Sequence, residues 1–227
     1  MAPPYAARVP QPVVLVPGLG LTAREWRGVR ALLDGASAVV PLPSMGLGVL
    51  RGTDLSVEAQ ADRVAALLPL APAVVVGHSA SCPVVVEVAR RVRVAGLVLV
   101  GPVTDPRAAT WPRMVAQWLR TARHERPWEA PALVPQYART GAASMRRGMT
   151  VVRRYRTDHA LADVDVPVEV VRGERDRIAP SDWCRTLSPH VSTVAGAGHM
   201  VPLTHPQAVA DAVRRVAARG QDAPRSS

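Results

Sequence analysis

The chain has 227 residues, 48% of them apolar, carries a net charge of +10 and contains neither lysine nor phenylalanine. That length suits one α/β domain with a sizeable core, and the apolar content excludes a chain disordered throughout. All 28 basic residues are therefore arginines. They are scattered and not stacked in a tract, so they read as a compositional bias toward Ala, Val, Arg and Pro and not as a nucleic-acid or membrane surface. Cys82 and Cys184 lie far apart without CxxC or Cys/His spacing, which points to buried reduced thiols and no metal. Met1 to Gln11 has no apolar signal core, and no run approaches a membrane span. The expectation is a cytoplasmic protein with a small-molecule substrate, no nucleic-acid or membrane partner, and a monomeric or homodimeric state.

Short Val/Leu runs mark strands at Val13–Val16, Ala38–Pro41, Ala73–Val76, Gly96–Val100, Val168–Val171 and Val191–Val194. Apolar residues at helical spacing mark helices around Glu25–Leu33 and over Val57–Leu68, Val84–Val92 and Pro206–Ala218. The alternation predicts an α/β fold: a mostly parallel sheet of about six strands with helices on both faces. Pro102 to Asp165 offers no strand but holds Trp111, Trp118 and Trp128 and several helical stretches. A structureless loop of that length is uncommon. The predicted organisation is a core over 1–101, a helical lid insertion over 102–165, a second core part over 166–219 and a disordered tail over 220–227.

In an open parallel sheet, ligands bind beyond the carboxyl ends of the strands. At the first such place, Val74-Val75-Val76 runs into Gly77-His78-Ser79-Ala80-Ser81 and then a helix. This is the context of a nucleophile elbow, a tight turn that lifts Ser79 above the sheet edge. Read alone, Ser79 also fits a helix N-cap, the less favoured of the two readings. Val13–Val16 ends in Pro17-Gly18-Leu19-Gly20, where the backbone N–H of Leu19, with that of Ala80, can stabilise an oxyanion. The same loop lacks the third glycine of a dinucleotide site and the lysine of a P-loop. Strand Val168–Val171 leads to Arg172-Gly173-Glu174-Arg175-Asp176. Asp176 there suits the orienting acid, with Asp105 as the alternative and Glu174 as the neighbour most easily confused with it. The last strand leads to Gly198-His199-Met200, a glycine-flanked histidine able to take and return a proton. His78 is expected at the elbow or pocket wall, His205 at a helix start, and His124, His159 and His190 without a role.

The order Ser79, Asp176, His199, each after a strand, resembles that of the α/β-hydrolase superfamily, among its small esterase-like members with a lid. The resemblance spans Val13 to about Ala218. It implies a Ser79–His199–Asp176 triad, an acyl-enzyme and no cofactor. Three departures stand out: no leading hairpin before Val13, Pro-Gly where His-Gly is common in the oxyanion loop, and Ser81 at a usual glycine position, which would widen the turn slightly. A lid face of Trp111, Met114, Val115, Trp118 and Leu119 either lines the pocket or docks the lid on the core. His78, Trp111, Met114, Trp118 and Met200 are the candidate pocket residues. The arginines at 146, 147, 153, 154 and 156 face either an anionic substrate tail or solvent. The implied reaction is hydrolysis of a small to medium ester, lactone or thioester. Cofactor-free C–C cleavage, cyclisation or acyl transfer on the same triad, and a receptor-like protein without turnover, are the alternatives.

Overall fold

The computed structural model describes residues 11–125 and 127–222. In chain order the elements are β1 (Val13–Val16), α1 (Arg27–Ala31), β2 (Ser37–Val39), β3 (Leu42–Pro43), β4 (Gly46–Leu47), α2 (Val57–Ala65), β5 (Val74–His78), α3 (Cys82–Arg91) and β6 (Gly96–Val100). Then come α4 (Trp111–Ala122), α5 (Ala130–Thr140), α6 (Ala142–Val152) and α7 (Thr157–Leu161), followed by β7 (Val168–Gly173), α8 (Ser181–Leu187), β8 (Val191–Val194), α9 (Val201–Thr204) and α10 (Pro206–Asp222). Six strands form one sheet in the order β2-β1-β5-β6-β7-β8, and every pairing is parallel. The chain runs outward from β1 to β2 and then returns to β5 on the other side of β1. The crevice at the carboxyl ends of β1 and β5 is therefore a topological switch point.

Valine dominates the central strands because both faces are covered. Successive side chains alternate between two cores. Val14, Val16, Val75, Leu97 and Leu99 join α2, α3 and α8 on one face. Val13, Leu15, Val74, Val76, Val98 and Val100 join Trp26, Val29 and the Val209/Val213/Val216 stripe of α10 on the other. Each such side chain contributes roughly 1.5–3 kcal/mol by leaving water.

Several boundaries differ from the sequence reading, each for a local reason. β5 continues to His78, because Gly77 and His78 pair with Leu99 and Val100. β7 continues to Gly173 against Thr193 and Val194. β2 ends at Val39, and Pro41 has no N–H to carry the ladder on. A small β3–β4 ladder was not anticipated. The expected tail is helical as far as Asp222, as the end of α10. Residues 1–10, read as lacking a signal core, and 223–227 of the expected disordered tail lie outside the described residues. Between β6 and β7 the described residues carry helices and no strand. No helix among the described residues is long and apolar enough to cross a membrane.

Candidate active site

β5 ends inside the core, and the chain turns at once into α3 through a 3₁₀ turn over Ser79–Ser81. The close approach explains Gly77: a Cβ there would lie 2.8 Å from Val85 Cγ2 and 3.0 Å from the Ser81 carbonyl oxygen. Ser79 takes φ +54°, a left-handed conformation that a non-glycine residue adopts at a cost and that clusters at functional sites. Ser81 stands where a glycine was looked for, and its hydroxyl has a bonding role. It accepts from the His78 N–H at 2.8 Å and lies 2.9 Å from the Val16 carbonyl, tying the elbow to β1.

Ser79 Oγ lies 2.9 Å from His199 Nε2, and His199 Nδ1 lies 2.7 Å from Asp176 Oδ2. The other Asp176 oxygen accepts the N–H groups of Ile178 at 2.8 Å and Ala179 at 3.2 Å. With the carboxylate accepting, Nδ1 carries the hydrogen and Nε2 faces the serine as an acceptor. Burial pushes the Asp176 carboxyl up. The charge of His199, the bond to it and the two loop N–H groups outweigh that together and hold it below the usual carboxylate range. For His199, burial pushes the imidazole down. The charge and hydrogen bond of Asp176, with the charges of Glu125 and Glu25, leave it above its ordinary value.

Asp105 does not take this place. Its carboxylate caps the Pro106–Ala108 turn and pairs with the Arg107 guanidinium at 2.6 Å. Glu174 turns outward and accepts the Gly196 N–H. The acid loop is tied down by a group that sequence reasoning missed. The buried Arg172 donates to the carbonyls of Ala179 at 2.8 Å, Glu174 at 3.2 Å and Asp176 at 3.3 Å. Its signal was an arginine directly after the apolar pair Val170-Val171 in a strand, where it buries only with partners.

The Leu19 N–H has no acceptor among the described residues, while the next two N–H groups, of Gly20 and Leu21, donate to the Ser44 and Gly18 carbonyls. The Ala80 N–H opens a helical turn, where the first donors have no intrahelical partner. Because β1 and β5 are neighbours in register Val16↔Gly77, both loops face one crevice.

That crevice opens into a cavity of about 360 Å³. Its lining includes Ser79, His199 and all five candidate pocket residues, His78, Trp111, Met114, Trp118 and Met200. α4 turns Trp111, Met114, Val115 and Trp118 toward the cavity; Thr121 is its one buried residue, and Leu119 is exposed. Tyr137, Met145 and Met149 from α5 and α6 complete the wall and were not singled out from sequence. Burial pushes the Tyr137 phenol up to about 12, with the charges of Glu25, Glu125 and Glu129 acting the same way. It is therefore a neutral hydroxyl at ordinary pH. Of the arginine run, Arg146 borders the cavity, Arg153 lies over the Trp111 ring, and Arg156 pairs with Asp158. Glu125, just after α4, accepts the His199 N–H at 2.6 Å. Nothing local in sequence marks that contact. Among the described residues no cluster of His, Cys, Asp or Glu is arranged to hold a metal.

A model of the alpha/beta hydrolase family matches residues 13–212. The chain belongs to this family. Solved structures share the fold at low identity. MenH from S. aureus superposes with a TM-score of 0.76 at 12% identity, covering 95% of this chain and 96% of that one. A thermophilic esterase from Thermogutta terrifontis gives 0.69 at 21% identity, covering 93% and 91%. Est816, described as an N-acyl homoserine lactone degrading enzyme, gives 0.71 at 16% identity, covering 90% and 92%. No curated protein sequence matches the chain. Membership of this family makes it an α/β-fold hydrolase, and the solved structures share its fold.

Proposed function

We propose that this protein is a serine hydrolase that cleaves a small to medium, largely apolar ester, lactone or thioester through an acyl-enzyme. The observation that carries this reading is the unbroken Ser79–His199–Asp176 relay, at 2.9 and 2.7 Å, at the floor of an apolar cavity. In this mechanism His199 Nε2 takes the Ser79 proton as Oγ attacks the substrate carbonyl, and Asp176 balances the imidazolium that forms. The Leu19 and Ala80 N–H groups receive the oxyanion, each worth a few kcal/mol in the transition state. His199 returns its proton to the departing alcohol or thiol. Water then enters, is deprotonated by His199, and releases the acid.

The helices between β6 and β7 act as a lid over this site. Their tryptophans and methionines set a preference for apolar acyl groups, because the cavity lies near the lower end of the 300–1,000 Å³ typical of ligand pockets. The esterase and the lactone-degrading enzyme among the structural neighbours support the same substrate class. The test is a panel of short- and medium-chain esters, lactones and thioesters, run with the wild type and Ser79→Ala. Wild-type turnover of at least one class, lowered about a thousandfold or more in the variant, is expected. Equal turnover by both proteins would remove Ser79 from the mechanism.

A further inference from the structure

Beside the relay lies a second histidine–carboxylate couple. The side chains of Glu25 and His78 are wholly buried. Glu25 follows the oxyanion loop on the 3₁₀ turn Ala23–Trp26. Its Oε2 accepts the Gly18 N–H at 3.1 Å, one residue before Leu19. Its Oε1 lies 2.5 Å from His78 Nδ1, outside the alignment of a linear hydrogen bond. The other ring nitrogen, His78 Nε2, lies 3.2 Å from the His199 carbonyl oxygen. The His78 and His199 rings are 5.0 Å apart, and Trp26 meets His78 edge-on from another side. Gly18 leaves no space between them, since a Cβ there would lie 2.8 Å from His78 Nδ1.

These contacts allow a proton count. A carbonyl oxygen only accepts, so His78 Nε2 carries a hydrogen. A neutral imidazole has one N–H, which would leave the Nδ1 lone pair against a carboxylate oxygen at 2.5 Å. Two lone pairs do not approach so closely with nothing between them. The couple therefore holds one proton more than a neutral histidine beside an ionised glutamate. Because Glu25 Oε2 already accepts the Gly18 N–H, which favours the ionised acid, the extra proton is placed on His78, as an imidazolium beside a carboxylate. The pair is neutral overall, as burial without solvent favours.

We infer that Glu25 and His78 form a proton-sharing strut that holds the Leu19 N–H of the oxyanion loop in place against the backbone of His199, making both of them positioning residues. The kinetic consequence rests on the serine-hydrolase reading above; the proton count does not. The strut links three strand ends that the fold brings together, those of β1, β5 and β8.

The test combines NMR of ¹⁵N-histidine-labelled protein with kinetics of Glu25→Gln and Glu25→Ala. The folded wild type and Ser79→Ala are both expected to show two ring N–H signals for His78. In Glu25→Gln, the amide oxygen still accepts from Gly18 and the NH₂ group donates to Nδ1. His78 then keeps only Nε2–H, and kcat stays within about threefold of wild type, since the oxyanion donor is not moved. Glu25→Ala removes both contacts and is expected to lower kcat on the order of ten- to a hundredfold with KM nearly unchanged, as for a donor used in the transition state. If Glu25→Ala does not fold, the Glu25→Gln spectrum still decides the proton count. A single His78 ring N–H in the wild type, or wild-type kcat in a folded Glu25→Ala, would overturn the strut. Two His78 signals in a protein that turns over no ester, lactone or thioester would uphold the proton count and overturn the hydrolase reading instead.

Discussion

Asp176→Asn separates orientation from mere packing, and its outcome can be worked out atom by atom. The asparagine oxygen would keep the place that accepts from Ile178 and Ala179, at 2.8 and 3.2 Å. Its NH₂ group then falls at the Oδ2 position, 2.7 Å from His199 Nδ1. An NH₂ group donates, so Nδ1 must become the acceptor and the imidazole hydrogen moves to Nε2. Nε2–H now faces Ser79 Oγ at 2.9 Å, with no lone pair for the serine proton. A tautomer held the wrong way costs on the order of 10⁴ in kcat, or about 5 kcal/mol of barrier at 1.36 kcal/mol per tenfold. Stability should change in a pH-dependent way as well. A carboxylate held below its ordinary pKa adds stability above the unfolded value, and that stability is lost as pH falls through the folded value. The variant loses this dependence. The assay is kcat on the best substrate of the panel, with circular dichroism to confirm the fold. A folded Asp176→Asn that loses less than tenfold in kcat would refute the assignment of Asp176 as the orienting acid.

Three further outcomes follow from the structure. The free enzyme needs neutral His199, so kcat/KM should fall on the acid side with a midpoint above the ordinary histidine value of about 6.5. Glu125→Gln keeps an oxygen for the His199 N–H but removes a charge that favours imidazolium, so a pH–rate profile should show that limb displaced to lower pH; an unmoved limb would contradict the electrostatic account. Gly77→Ala places a methyl group against Val85 and the Ser81 carbonyl and should cost about 1–3 kcal/mol. A thermal melt should show it as a Tm lowered by roughly 2–12 °C, and wild-type Tm would show that the elbow has room to spare.

The strands were legible because the valine runs are buried on both faces, and a continuous β-branched run has few other uses. The ends of β5 and β7 were not, because Gly77, His78, Arg172 and Gly173 are strand residues only through their neighbours' ladders. Ser79 and His199 carry local signals, a strand–turn–helix context and a glycine-flanked loop. The choice between Asp105 and Asp176 depends on which carboxylate turns toward the histidine, and Arg107 engages that of Asp105 while Asp176 reaches His199. Glu125 and His199 are 74 positions apart, and their contact exists only once α4 lies across the strand ends. Glu25 did leave a trace. It directly precedes the fully buried Trp26 on a turn that begins at the Thr22 cap, where an acidic side chain needs an internal partner. The apolar face of α4 left open whether it lines the pocket or packs on the core. It lines the cavity, yet Trp118 remains 56% exposed, a division that helical spacing alone does not encode.

The most direct test of the central claim is labelling with a fluorophosphonate probe, wild type beside Ser79→Ala, with the adduct mapped by mass spectrometry. A strained serine facing an imidazole acceptor should react as an activated nucleophile. One adduct is expected, on Ser79, and none in the variant. A folded wild type that stays unlabelled, or an adduct that persists in Ser79→Ala, would contradict it.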